Sequence, residues 1–238
     1  MSSAYPAWSI ASVSSRAAPG ELSLNNQPRG DAVFYQTYAH AFARVLVRPL
    51  IGTWVRPNHL TWLRLLTGVA ACALLSVGSQ DTAMWSGVMW VISCMLDRAD
   101  GELARMGDLR SESGKVLDFY SDMILDSFWF LGAGIGLRHS SLGEYAAPLG
   151  ALTCGSMLLT MWSSELLERL SAPGVKAFDF KGVKRFHPDD MLFLLAPFTW
   201  LGWLVPILVA SSLCTPIFAL VITVRYFLLK RRIAALTA

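Results

Sequence analysis

Asp97, Asp100, Asp118 and Asp122 occur in a stretch that reads D-x-x-D-G-x-x-A-R, then eight residues, then G-x-x-x-D-x-x-x-D. At about 100° per residue, Asp97, Asp100, Gly101 and Ala104 share one helix face, and Asp118 and Asp122 lie one turn apart on the next helix. If the two helices are antiparallel neighbours, the four carboxylates converge. Two carboxylates ~4 Å apart repel by roughly 4 kcal/mol at an effective dielectric of about 20, so four together hold protons or bind cations. Oxygen ligands without His or Cys favour Mg²⁺, Mn²⁺ or Ca²⁺ over zinc. An EF-hand is excluded, because Gly101 as its sixth position would put Leu96 at the first. Gly101 and Ala104 leave room beside the acids, and Arg105 offers a planar fork suited to phosphate. Metals, a phosphate-binding arginine and an open face together indicate phosphoryl transfer.

The stretch resembles the signature of the CDP-alcohol phosphotransferase family, with every signature position filled. Upstream, Pro57-Asn58-His59-Leu60-Thr61, followed by Arg64, resembles the segment that opens the first membrane helix of that family. The resemblance implies transfer of a substituted phosphate, most often phosphatidyl, from a CDP-linked donor to an alcohol acceptor, with release of CMP. It implies one or two divalent ions, Mg²⁺ or Mn²⁺, held by Asp97, Asp100 and Asp118, with Asp122 as general base and as a further contact of the second ion. It places Asn58, Thr61, Asp97, Asp100, Gly101, Ala104, Arg105 and Gly114 around CDP. Basic residues binding a phosphorylated acceptor would be Lys184, Arg185 and Arg225. No Ser, Cys or His occupies a signature position, so direct in-line attack is expected without a phospho-enzyme. Asn58 and Thr61 have the alternative of capping their helix, and Arg64 that of pairing with an acid. Asp126, one turn beyond Asp122, either positions it or an acceptor, or pairs within the bundle.

These residues need a scaffold, and the composition says which. The 238 residues are 54% hydrophobic and 16% charged, with mean hydropathy +0.45, the profile of a polytopic membrane protein. The expected fold is all-α: six transmembrane helices over roughly 60–78, 82–98, 116–137, 146–167, 189–203 and 206–229, preceded by an interfacial amphipathic helix. Residues 1–30, rich in Ser, Ala, Pro and Asn, read as a disordered cytoplasmic tail. Residues 31–56 read as a juxtamembrane helix. In it Phe34, Tyr38, Phe42 and Val45 form one stripe, and Gln36, His40, Arg44 and Arg48 the opposite one. Residues 57–232 form the catalytic transmembrane domain.

Charge sets the orientation. Arg44, Arg48 and Arg56 precede the first span, and Arg98, Arg105, Arg110 and Lys115 lie between the second and third. Arg169, Lys176, Lys181, Lys184 and Arg185 separate the fourth and fifth, and Lys230, Arg231 and Arg232 follow the sixth. Of the alternate loops only the one at Arg138 is basic, so both termini and the acidic motif face the cytoplasm, as in a bacterial inner membrane. The net charge of +3 fits contact with anionic lipid and not with nucleic acid. Cys72, Cys94, Cys154 and Cys214 fall in apolar segments and read as inert thiols. Gly132 and Gly136 form a G-x-x-x-G that marks either a close helix contact or the seam of an expected homodimer. Two other readings remain at this point. One is a donor of opposite polarity, a CDP-linked polar alcohol such as CDP-choline, CDP-ethanolamine or CDP-inositol. The other is a cation transporter using intramembrane carboxylates.

Overall fold

In a computed structural model of the chain, residues 38–171 and 188–237 are described, and every regular element among them is helical. In order these are α1 Tyr38–Val47, α2 Pro57–Val77, α3 Gln80–Met106, α4 Glu112–Gly136, α5 Ala146–Leu170, α6 Leu195–Trp200 and α7 Leu204–Thr237. The tail expected over 1–30 lies outside the described residues.

Local chemistry sets the helix ends. Pro57 opens α2 at its first position, where a missing N–H costs nothing. Gly78, at φ +83°, closes it in the left-handed conformation that disfavours a side chain. Ser79 caps α3 by accepting from the Thr82 N–H, and Ser111 caps α4 by accepting from the Gly114 N–H. Arg138, the isolated cation of the alternate loops, is a C-terminal clamp. Its Nη1 donates to the carbonyls of Ser76 and Ile135 and its Nη2 to that of Val77, satisfying the ends of α2 and α4 together.

α2 is the hub. It packs against both α3 and α4, α1 lies on α3, α5 joins α4 to α7, and α6 lies on α3. The acid-bearing helices α3 and α4 each pack far more extensively on α2 than on one another. Among the described residues α3 and α4 are brought together chiefly by α2 between them. The G-x-x-x-G of α4 explains how closely. A Cβ at Gly132 would lie 2.7 Å from the Cys72 carbonyl oxygen, and one at Gly136 2.1 Å from that of Leu75. Those glycines are used inside the chain, for the α2–α4 contact. The core around them holds Ala71, Leu75, Trp90, Leu125, Trp129 and Ala133, with the indoles of Trp90 and Trp129 6.0 Å apart.

α2 and α7 are long and apolar enough to cross a membrane by length and composition alone. Their outward residues Leu66, Leu213 and Leu220 stay exposed in the isolated chain. α3, α4 and α5 have 27, 25 and 25 residues, or ~37–40 Å at 1.5 Å per residue. Buried polar groups such as Ser86, Ser93, Ser127 and Thr153 lower their hydropathy.

The segment expected as a fifth span over 189–203 departs from expectation. It is a 3-10 stretch, Pro188–Leu194, followed by the six-residue α6. Prolines at 188 and 197 and Gly202 at φ +73° restrict a continuous helix. It nonetheless runs antiparallel along α3. The Phe193 ring lies 5.9 Å from the Arg98 guanidinium carbon, Trp90 Nε1 donates to the Leu192 carbonyl, and Trp200 Nε1 donates to that of Met84.

Candidate active site

The acids are positioned by α3 and α4 and tied by α2. Asp97, Asp100 and Asp118 each place a carboxylate oxygen within 4.8 Å of the others. Asp122 stands one turn deeper and joins them through Arg64 of α2. The Arg64 guanidinium lies 2.7 Å from Asp97 and 3.0 Å from Asp118 through Nη1, and bonds Asp122 through Nη2. Of the two roles open to Arg64, pairing with acids is the one observed, and it is 4% exposed. Arg98 bonds the second oxygen of Asp97, and Thr61 Oγ donates to Asp100 at 2.7 Å.

The donor set fits a hard divalent ion: three converging carboxylates and no soft ligand among them. The charge fits as well. The carboxylates of Asp97, Asp100, Asp118 and Asp122 outnumber the guanidiniums of Arg64 and Arg98 that lie among them, which favours a cation at the cluster.

Beside the acids opens a cavity of about 330 Å³. Its walls include Asn58, Thr61, Asp100, Gly101, Ala104, Arg105, Gly114 and Asp118. Seven of the eight residues expected around CDP therefore line one space; the eighth, Asp97, faces a smaller cleft with Arg64, Arg98 and Asp126. The glycines have specific work. A Cβ at Gly101 would meet the Arg105 guanidinium at 3.2 Å, and one at Gly114 would meet Ser111 Oγ at 2.9 Å and Asn58 Oδ1 at 3.2 Å. Neither Asn58 nor Thr61 caps α2, whose N-cap is Arg56.

The profile of the CDP-alcohol phosphatidyltransferase family matches residues 54–237, more than half of the chain. The chain belongs to that family. That family is membrane-integral and generally divalent-metal-dependent, and its members take a CDP-alcohol donor and an alcohol acceptor. A relative named "Bifunctional IPC transferase and DIPP synthase", from Aquifex aeolicus (strain VF5), is 27% identical over 173 residues. That match covers 71% of this chain and 38% of the relative, so the chain spans about two fifths of the relative's length.

Other parts of the site were less legible. Pro57, Leu109, Arg110, Ser111 and Lys115 also line the cavity. The two cations could have been suspected from their place beside the motif. On α1 the two expected stripes face opposite ways, and it is the polar one that packs on protein. Tyr38, Phe42 and Val45 are exposed, whereas His40 and Arg44 of the polar stripe turn inward to Glu102 of α3. Glu102, which the sequence did not single out, is 1% exposed and also lies 2.9 Å from Arg105. Burial alone would raise its pKa, and the His40 and Arg105 hydrogen bonds outweigh that and hold it below the usual glutamate range. Asp126 is buried one turn beyond Asp122. Of the acceptor candidates, Arg225 is exposed on α7, and Lys184 and Arg185 lie outside the described residues.

Proposed function

We propose that this enzyme transfers a substituted phosphate, most commonly phosphatidyl from CDP-diacylglycerol, to an alcohol and releases CMP. The observation that carries the reading is the convergence of Asp97, Asp100 and Asp118 at the edge of the cavity that Gly101, Ala104, Arg105 and Gly114 line. Asp97, Asp100 and Asp118 would hold the divalent ion, Mg²⁺ or Mn²⁺. Bound there, such an ion neutralises the donor's bridging oxygens and stabilises CMP as leaving group.

The chain's own groups supply the rest. Gly101, Ala104 and Gly114 admit the nucleotide closely, and Asn58 and Arg105 orient it. Thr61 fixes Asp100. Arg64 holds Oδ1 of Asp122, leaving Oδ2 to take the acceptor's proton. The alcohol oxygen forms the new P–O bond as the bond to CMP breaks and the proton passes to Asp122. Lys184, Arg185 and Arg225 are the candidates for an acceptor phosphate.

In the same reading the chain crosses a bacterial cytoplasmic membrane six times, acts as a homodimer, and keeps both termini and the site in the cytoplasm. The Pro188–Trp200 segment supports the even count, since it lies antiparallel against α3, with Phe193 at the Arg98 guanidinium and Trp200 at Met84. The opposite donor polarity, a CDP-linked polar alcohol, is tested beside the first. The experiment is CMP release by the purified full chain, with Mg²⁺ or Mn²⁺, from CDP-diacylglycerol, CDP-inositol, CDP-choline and CDP-ethanolamine against a panel of alcohols. Release with one donor class and with an added alcohol identifies the reaction. No CMP from any pairing would sink the proposal.

A further inference from the structure

Glu102 is a buried carboxylate in contact with three basic side chains from two elements. His40 Nδ1 lies 2.8 Å from its Oε1, Arg105 Nη2 2.9 Å, and Arg44 Nη1 3.7 Å. A carboxylate this enclosed needs such partners, because losing one strands a charge in a low dielectric. His40 Nδ1 must carry the proton, since a lone pair there would oppose the carboxylate. Arg105 is the one partner of the three that lines the cavity. Its guanidinium folds back over Gly101, where a Cβ would lie 3.2 Å from Nη1, while Glu102 holds Nη2 from behind. A planar fork bonded on one edge loses little freedom on meeting a phosphate with another.

The geometry points to Glu102, backed by His40 and Arg44 of α1, as a positioning group that presets Arg105 for the donor's nucleotide-phosphate portion. α1 then belongs to the donor site. Its exposed Tyr38, Phe42 and Val45 make the same helix the one that rests in the interface, so membrane seating and Arg105 placement share one element. The inference rests on the CDP-donor reading above, and it assigns Glu102 no contact with substrate or metal.

The test is a double-mutant cycle on the full chain in detergent, read as CDP affinity in Mn²⁺, as KM against kcat for CMP release, and as Mn²⁺ affinity without nucleotide. Glu102→Ala should weaken CDP by about tenfold or more, acting on KM more than on kcat. Its Mn²⁺ affinity should stay within about twofold of wild type. In an Arg105→Ala background the same change should add less than about twofold, because nothing remains to be positioned. His40→Ala, on the neighbouring helix, should give a smaller loss that also vanishes without Arg105. Glu102→Gln, which keeps the shape and one acceptor oxygen, should fall between wild type and Glu102→Ala and serves if Glu102→Ala does not fold. An undiminished Glu102 effect in the Arg105→Ala background would overturn the positioning role, as would unchanged CDP affinity in both Glu102 and His40 variants of an active enzyme. A wild-type protein that binds CDP but makes no CMP from any donor overturns the transfer reading instead and leaves the cycle interpretable.

Discussion

A guanidinium as enclosed as that of Arg64 is costly unless acids surround it, and it touches three of the four signature aspartates. It is the buried cation that lets those carboxylates coexist before a metal arrives. Arg64→Ala should therefore lower metal-free stability by about 3–5 kcal/mol, the usual cost of breaking a buried pair. Saturating Mn²⁺ should recover much of that loss, because an ion bound only to the folded chain stabilises it by mass action. Thermal unfolding with and without Mn²⁺ reads both numbers, and equal melting shifts in wild type and variant would contradict this account. Asp122 is separable from that balance. Asp122→Asn keeps the Arg64 contact through its amide oxygen and removes the proton acceptor. It should abolish CMP release while leaving Mg²⁺-dependent CDP binding close to wild type. Turnover near the wild-type rate would remove Asp122 as the base.

Elements decide whether those residues meet, and here the sequence was an uneven guide. The acid spacing placed each carboxylate on the correct helix face, because a 3.6-residue period is a local property. It could not show that α2 would stand between α3 and α4, nor that Arg64 would reach both, because those are tertiary facts. The amphipathic stripes of α1 were legible as stripes. Which stripe faced protein was not, since an apolar face is equally satisfied by lipid and by a core, and the deciding partner, Glu102, lies 62 residues from His40. The glycine pair in α4 was legible as a close approach without its partner. Its observed neighbours are carbonyls of α2, which cannot rotate away as a side chain can. Gly136→Ala should thus cost about 1–3 kcal/mol by overpacking and lower CMP release, with the mass of the detergent-solubilised particle unchanged. A change of oligomeric mass at constant melting temperature would make the pair a dimer seam after all.

At the scale of the whole molecule the open quantity is the number of crossings, and one short segment governs it. With α2, α3, α4, α5 and α7 alone the chain would cross five times and put its two ends on opposite faces. The Pro188–Trp200 segment supplies a sixth if its climb along α3 spans the hydrocarbon. Seven 3-10 residues at ~2.0 Å and six helical ones at ~1.5 Å give ~23 Å, shorter than a ~30 Å core. Local thinning or burial against α3 must cover the difference. Two indoles tie the segment to α3, Trp90 to the Leu192 carbonyl and Trp200 to that of Met84. Charge independently favours six, because Lys230, Arg231 and Arg232 at the end of α7 match the cytoplasmic basic loops. In a chain with its four cysteines replaced, single cysteines at Ser141 and Trp203 should react with an impermeant thiol reagent on intact cells. One at Ser111 should react only after permeabilisation, together with a C-terminal one. Labelling of the C-terminal cysteine on intact cells would mean five crossings, and would turn the basic end of α7 away from the face that holds Asp97 to Asp122.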